Sequence, residues 1–161
     1  SGRNADTQKT DKKHTAHQPQ TAPSGTSPKS CASSPIENPA STDGFEFVEH
    51  TAPDTEQLRT LFAQLGFPAR ARHRSKNVTL HAQGDINFII NAEPASFAQA
   101  FARQHGPSAC AMAFRVKDAE DAVQRAIQMG ARPIATPVGQ MELEIPAIEG
   151  SGGSWIQLWD R

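Results

Sequence analysis

From Gly44 onward the apolar positions of the chain fall into short alternating runs separated by stretches with helical spacing. Residues 44–52 alternate as a strand, with Phe45, Phe47 and Glu49 on one face and Val48, His50 and Ala52 on the other. Asp54 is placed to cap a helix, and Gln57 three residues on completes a capping-box pattern. Leu58, Leu61, Phe62 and Leu65 then form one apolar stripe at i, i+3, i+4 and i+7, which Gly66 ends. Three strands are predicted over residues 70–75, 78–82 and 86–91, the last two joined by a turn at Gln83-Gly84-Asp85. A helix over 93–105 carries Phe97, Ala100 and Phe101 and closes at Gly106-Pro107. A strand over 109–116, an Asp118 cap and a helix with Ala122, Val123, Ala126 and Ile127 inward follow. Past Gly130, strands are predicted near 132–137, 141–148 and 155–160.

This order repeats itself. At an offset of 64 residues, Phe47 to Glu56 lies over Ala111 to Glu120, and Leu65-Gly66 lies over Met129-Gly130. Each copy reads as strand, acidic helix start, helix, glycine stop and further strands, a β-α-β-β-β unit used twice. The expected fold class is α+β: two tandem βαβββ modules of about 44–92 and 108–161, linked by the helix near 93–105. Their two four-stranded sheets are expected side by side with helices on the outer faces.

Composition divides the chain unevenly. Residues 1–43 contain no Leu, Val, Phe, Trp or Met, and Ile36 and Cys31 are their only large or sulfur-bearing apolar residues. Such a segment cannot bury enough apolar surface to offset chain ordering, so a disordered tail or linker is expected over 1–43. The 118 residues of 44–161 suffice for one modest core. Five of the sixteen basic and four of the seventeen acidic residues lie in the tail, leaving eleven and thirteen for the domain. That balance, with no basic run interleaved by aromatics, argues against nucleic acid. No apolar stretch approaches the roughly 20 residues of a membrane span, and the first 30 residues lack the apolar core of a secretory signal. Cys31 and Cys110 make no disulfide framework, and a reducing cytoplasm is the expected home. The opening Ser-Gly-Arg, without methionine, suggests a piece of something longer.

Local motifs carry a resemblance. Gly44-Phe45-Glu46-Phe47-Val48-Glu49, Leu65-Gly66-Phe67, His73 to Val78, Gln83-Gly84-Asp85-Ile86-Asn87 and His105 to Cys110 are among them. Met112 to Asp118, Met141-Glu142-Leu143, Ile145-Pro146-Ala147-Ile148 and Asp160-Arg161 complete the set. In order and spacing they resemble the N-terminal domain of the 4-hydroxyphenylpyruvate dioxygenase family, over about residues 36–161. That family belongs to the vicinal-oxygen-chelate (glyoxalase and bleomycin-resistance) superfamily of paired βαβββ modules. The resemblance implies a parent of four modules whose Fe(II) sits in the C-terminal domain on two His and one Glu, a facial triad with open positions. It implies no cofactor for this fragment. Its expected partners are the catalytic domain of the same parent chain and other subunits of a homo-oligomer.

Carrying the superfamily ligand positions over, the first strands place Phe47 and Ala111 there. The last strands place Phe88 and Gln157, on an alignment of 84–88 with 153–157. Two Phe, an Ala and a Gln cannot form a triad for a divalent transition metal. Catalytic and metal residues are therefore expected to be none. Phe47, Phe88, Gln157, Trp155 and Trp159 remain as cup or interface residues, the two tryptophans sharing one face of the last strand. His50 lies near a ligand position but with the parity of the helix side, and its equivalent is Phe114. His73, His81 and His105 do not converge by spacing, and His14 and His17 fall in the tail. Arg70, Arg72, Arg74 and Lys76 alternate and are read as one charged strand face that discourages edge-to-edge pairing, not as an anion patch. Gly150-Ser151-Gly152-Gly153 leads into a strand and so is a turn, not a phosphate loop. Met141, Leu143 and Ile145 alternate with Glu142 and Glu144 as a half-buried strand.

The leading functional expectation is a non-catalytic N-terminal domain of a dioxygenase-like parent that converts 4-hydroxyphenylpyruvate and O2 to homogentisate and CO2 in tyrosine breakdown. It would supply structural support and interdomain or subunit contacts. The polar tail also suits a linker from an upstream domain, as in fusions of a 3-dehydroshikimate dehydratase with a dioxygenase-like half. A stand-alone binding protein of the bleomycin-resistance type is a third possibility by size, against which stand Phe47 and Phe88 filling the cup.

Overall fold

The structure, a computed structural model, describes residues 37–136 and 145–160. The exact 64-residue offset reappears in its helices. Helix α1 (Thr55–Gln64) and helix α3 (Ala119–Gln128) start and stop at equivalent positions. Each start is held by an aspartate. Asp54 Oδ1 accepts from Glu56 N at 3.0 Å, and Asp118 Oδ1 accepts from Asp121 N at 2.8 Å. The Asp54 bond goes to the second residue on, not to Gln57 as the capping-box pattern suggested. Asp160 Oδ2 adds a second acceptor for α3 by taking Ala119 N at 3.0 Å. Each helix stops at a glycine in the left-handed region, Gly66 at φ +84° and Gly130 at φ +97°.

The linking helix is shorter than expected. Helix α2 (Phe97–His105) begins after Ser96, whose Oγ accepts from Gln99 N at 3.2 Å. Residues 93–96 form a turn and not a helix: Glu93 Oε2 accepts from Asn77 N at 2.8 Å, and the Glu93 carbonyl accepts from Ser96 N at 3.0 Å. The buried face of α2 is Ala98 and Ala102, while Ala100 is exposed.

Among the described residues eight strands form one sheet: β1 (Gly44–Thr51), β2 (Ala69–Arg72), β3 (Val78–Gln83), β4 (Ile86–Asn91), β5 (Ser108–Arg115), β6 (Pro133–Ile134), β7 (Ala147–Glu149) and β8 (Trp155–Trp159). Their order is β2-β3-β4-β1-β5-β8-β7-β6. The expected pair of four-stranded sheets is thus one continuous sheet, joined where β1 and β5 pair antiparallel. The halves mirror each other about that seam, β1 pairing parallel with β4 and β5 parallel with β8. The architecture is α+β in two βαβββ units, the vicinal-oxygen-chelate arrangement.

Two clusters anchor the helices. Under α1, Leu58 and Phe62 pack with Ala52, Phe67, Ile90 and Phe88. Under α3, Ala119, Ala122 and Val123 pack with Val116 and Leu158, flanked by Phe114, Ile127 and Ile148.

Several local expectations change. A register shift between Phe45 and Phe47 breaks the alternation, so Phe45 packs on Phe114 (centroids 4.7 Å apart) while Phe47 meets Trp159 from the other face. The charged strand ends at Arg72, and His73 to Asn77 form a bend, so Arg74 and Lys76 do not extend its face. Residues 37–43, expected within the disordered tail, are ordered by polar groups. Asn38 Oδ1 accepts from Thr42 N at 3.0 Å, Arg115 Nε donates to Asp43 Oδ1 at 2.8 Å, and Ala40 packs on the α3 cluster. Ile36, Cys31, His14 and His17 lie outside the described residues, as do Met141, Glu142, Leu143 and Glu144.

Candidate functional site

One face of the sheet carries the two clusters, and the other is concave. Alternation decides which side chains line it. On β1 they are Phe47 and Glu49; on β4, Asn87, Ile89 and Asn91; on β8, Trp155, Gln157 and Trp159. The bend after β2 adds His73 and Lys76. Among the described residues the cup has two lobes of about 600 and 560 Å3, both touching Glu49, Lys76, Asn91, Ile145 and Gln157.

Phe88 is not among these residues. The parallel register sets Val48 opposite Phe88 and Glu49 opposite Ile89, so Phe88 shares the helix side with Val48. Its ring stacks on Phe67 at 4.6 Å and meets Phe62 at 5.0 Å. In the second half Ala113, the repeat equivalent of Glu49, lies opposite Gln157. Ile89 is therefore the counterpart of Gln157, and the glycine-based alignment slips by one residue. A slip of one residue moves a side chain to the opposite face.

Polar chemistry in the cup centres on Glu49 and Gln157. Glu49 Oε1 accepts from Asn91 Nδ2 at 2.8 Å, with the Cys110 thiol 3.9 Å away. Burial holds the Glu49 carboxyl above the ordinary carboxylate range, and the bond from Asn91 opposes that rise. Burial, and then the charge of Glu49, push the Cys110 thiol far up, which makes it inert as a nucleophile. Gln157 is 7 % exposed, and its Oε1 finds no hydrogen-bond partner among the described residues. Phe47 and Trp159 stand edge to face with centroids 6.2 Å apart, and Trp155 stacks on Phe97 at 4.0 Å. Both tryptophans thus line the cup. Glu49 and Asn91 have no sequence signal beyond parity, and the alternation that links Lys76 to Arg70 and Arg72 breaks where β2 ends at Arg72.

The histidines stay apart. His50 lies under α1, edge-on to Phe62 at 5.0 Å and Phe88 at 5.1 Å, and burial lowers its pKa. His81 Nδ1 donates to the Phe67 carbonyl at 3.0 Å, and His105 packs on Phe101 at the end of α2. His73 Nδ1 accepts from Ser75 N and Lys76 N, fixing its own bend. Among the described residues no three His, Cys, Asp or Glu side chains lie together as metal ligands would. Phe47 and Ala111 stand on the first strands and Ile89 and Gln157 on the last, and of these four only Gln157 carries a side-chain lone pair.

Sequence relatives place this arrangement. A family model described as "Hydroxyphenylpyruvate dioxygenase, HPPD, N-terminal" matches residues 36–161. The chain is 55% identical over 127 residues to hemolysin VllY of Vibrio vulnificus, covering 77% of this chain and 36% of that protein. It is 53% identical over 127 residues to a 4-hydroxyphenylpyruvate dioxygenase of Pseudomonas aeruginosa, with the same coverage. A 3-dehydroshikimate dehydratase of the same organism is 46% identical over 121 residues, 74% of this chain and 19% of that protein. Among solved structures, a xylose isomerase-like TIM barrel/4-hydroxyphenylpyruvate dioxygenase fusion protein superposes with a TM-score of 0.64 at 39% identity, covering 77% of this chain and 20% of that one. The chain spans about a third or less of the length of these curated relatives. No helix among the described residues is long and apolar enough to cross a membrane. The chain belongs to the family of hydroxyphenylpyruvate dioxygenase N-terminal domains.

Proposed function

We propose that this chain is the non-catalytic, N-terminal part of a longer dioxygenase-like protein, and that it supports a downstream iron domain through interdomain and subunit contacts. The observation that carries the reading is the set of side chains on the ligand positions. Phe47, Ala111 and Ile89 have no lone pair for a metal, and Gln157 is a weak ligand alone. The parent reaction is the oxidative conversion of 4-hydroxyphenylpyruvate and O2 to homogentisate and CO2, with Fe(II) held outside this chain. The test is a mixture of the purified chain with Fe(II), ascorbate and 4-hydroxyphenylpyruvate. The expected result is no homogentisate, no CO2 release and no stoichiometric iron. Turnover, or one tightly held iron per chain, would overturn the proposal.

A second reading is favoured by the matches to the dehydratase and to the TIM-barrel fusion structure. In it the parent carries a dehydratase barrel ahead of the dioxygenase-like half. Within one organism, the 53% identity to the dioxygenase against 46% to the dehydratase supports the first reading. Reading the parent gene upstream of Ser1 separates them: a barrel-length domain there replaces the first reading by the second.

A further inference from the structure

The cup holds one buried polar group that the supporting role leaves unexplained. Gln157 is 7 % exposed, its Oε1 is buried with no hydrogen-bond partner among the described residues, and it borders both lobes. A buried carboxamide oxygen without a donor is a costly arrangement unless something binds it. Each lobe lies in the volume range of small-molecule sites. The adjoining walls are flat and aromatic, Phe47 against Trp159 and Trp155 against Phe97. The remaining lining mixes Glu46 and Glu49 with Lys76 and His73, so its charge selects neither an anion nor a cation. A carboxamide offers a donor and an acceptor side by side, and rotation about its last torsion exchanges the two. A partner carrying both complementary groups satisfies either orientation.

We infer that the cup binds a neutral, planar aromatic lactam, whose adjacent N–H and C=O pair with the Gln157 carboxamide while its ring lies against Phe47 and Trp159. This site is separate from the dioxygenase reading of the parent and stands or falls without it. Glu49, held by Asn91 and more readily protonated than an ordinary carboxylate because it is buried, completes the polar end of the site.

The test uses the full chain and a matched pair of probes, 2-quinolone and 1-methyl-2-quinolone, which differ only in the capped N–H. Trp155 and Trp159 are the only tryptophans, so their side-chain N–H signals in a 1H-15N NMR titration report on the cup alone. The expected result is a saturable shift of both signals by 2-quinolone, with affinity roughly tenfold above that of the methylated probe. Gln157→Leu should erase that difference while leaving the rest of the spectrum folded. Equal affinities, no saturation, or a preference that survives Gln157→Leu would overturn the proposal. If Gln157→Leu does not fold, the probe pair on the native chain decides alone.

Discussion

Under α1, three phenylalanines stack or tilt on one another with an imidazole edge-on to two of them; under α3, the equivalent space holds two alanines, two valines and a leucine. The backbone of the two halves is nevertheless the same, with helices at a constant offset, an aspartate at each start and a left-handed glycine at each stop. What is held in common is the punctuation that directs the chain. What differs is the side-chain volume between helix and sheet, which either half can fill in its own way.

Truncation is the largest way to break the comparison. Phe62→Ala removes the ring on which His50, His81 and Phe88 all pack, and should cost about 3–5 kcal/mol of unfolding free energy. Leu158→Ala in the other half should cost about 2–5 kcal/mol, toward the lower end because small neighbours surround it. Urea denaturation checks both, and a larger loss at Leu158 would show that the aromatic cluster is not the stronger anchor.

The two stop glycines sharpen the comparison next. Alanine at either must adopt a left-handed backbone, at a cost of roughly 1–2 kcal/mol. At Gly66 a new Cβ would also lie 2.6 Å from Gln83 Nε2, whose bond to the Gly66 carbonyl at 3.1 Å must then shift. At Gly130 the Cβ enters open space. Gly66→Ala should therefore lower the melting temperature more than Gly130→Ala.

A smaller effect separates the halves by pH. His50 has a folded pKa below its ordinary 6.5, so the folded state binds fewer protons than the unfolded chain across that interval. Stability is then complete above about pH 6.5 and falls with acidification toward the folded pKa. His50→Phe, which installs the residue its repeat equivalent Phe114 already has, should remove this acid-sensitive component in melts between pH 7 and 5. An unchanged slope would assign it to another group.

The smallest effect has the opposite sign. Glu49 has a folded pKa above its ordinary 4.5, so the native state favours the protonated carboxyl and loses that stability as pH rises through the folded value. Glu49→Gln should stabilise the chain modestly at pH 7–8, and the gain should vanish below about pH 4.5. A gain independent of pH would mean that packing, not charge, is responsible.

How much of this was legible in the sequence follows the same division. The helices, their caps and the equivalence of the halves are written in local signals, Asp54 and Asp118 before an apolar stripe and Gly66 and Gly130 after it. The side-chain directions in the sheet are not, because they depend on pairing. One register shift turned Phe45 away from Phe47, and a one-residue slip in equating β4 with β8 put Phe88 in the cup where Ile89 stands. The sequence therefore has Phe47 and Phe88 filling the cup, whereas Phe47 lines it together with Asn87, Ile89 and Asn91. Residues 37–43 were misread for another reason. Composition measures burial, while that segment is ordered by Asn38 and by Arg115 contacts with Asp43, which composition does not weigh.

The seam between β1 and β5 has a consequence for any attempt to divide the molecule. Each βαβββ unit taken alone would leave its first strand, β1 or β5, with one neighbour and one bare row of amides and carbonyls. These are long strands of eight residues each, unlike the short outer strands β2 and β6. A chain cut between Asn91 and Ser108 would thus yield two fragments with matching unsatisfied edges, ready to find each other or a like fragment from a second molecule. Strand exchange between copies, more than loss of either core, is the failure that this seam invites.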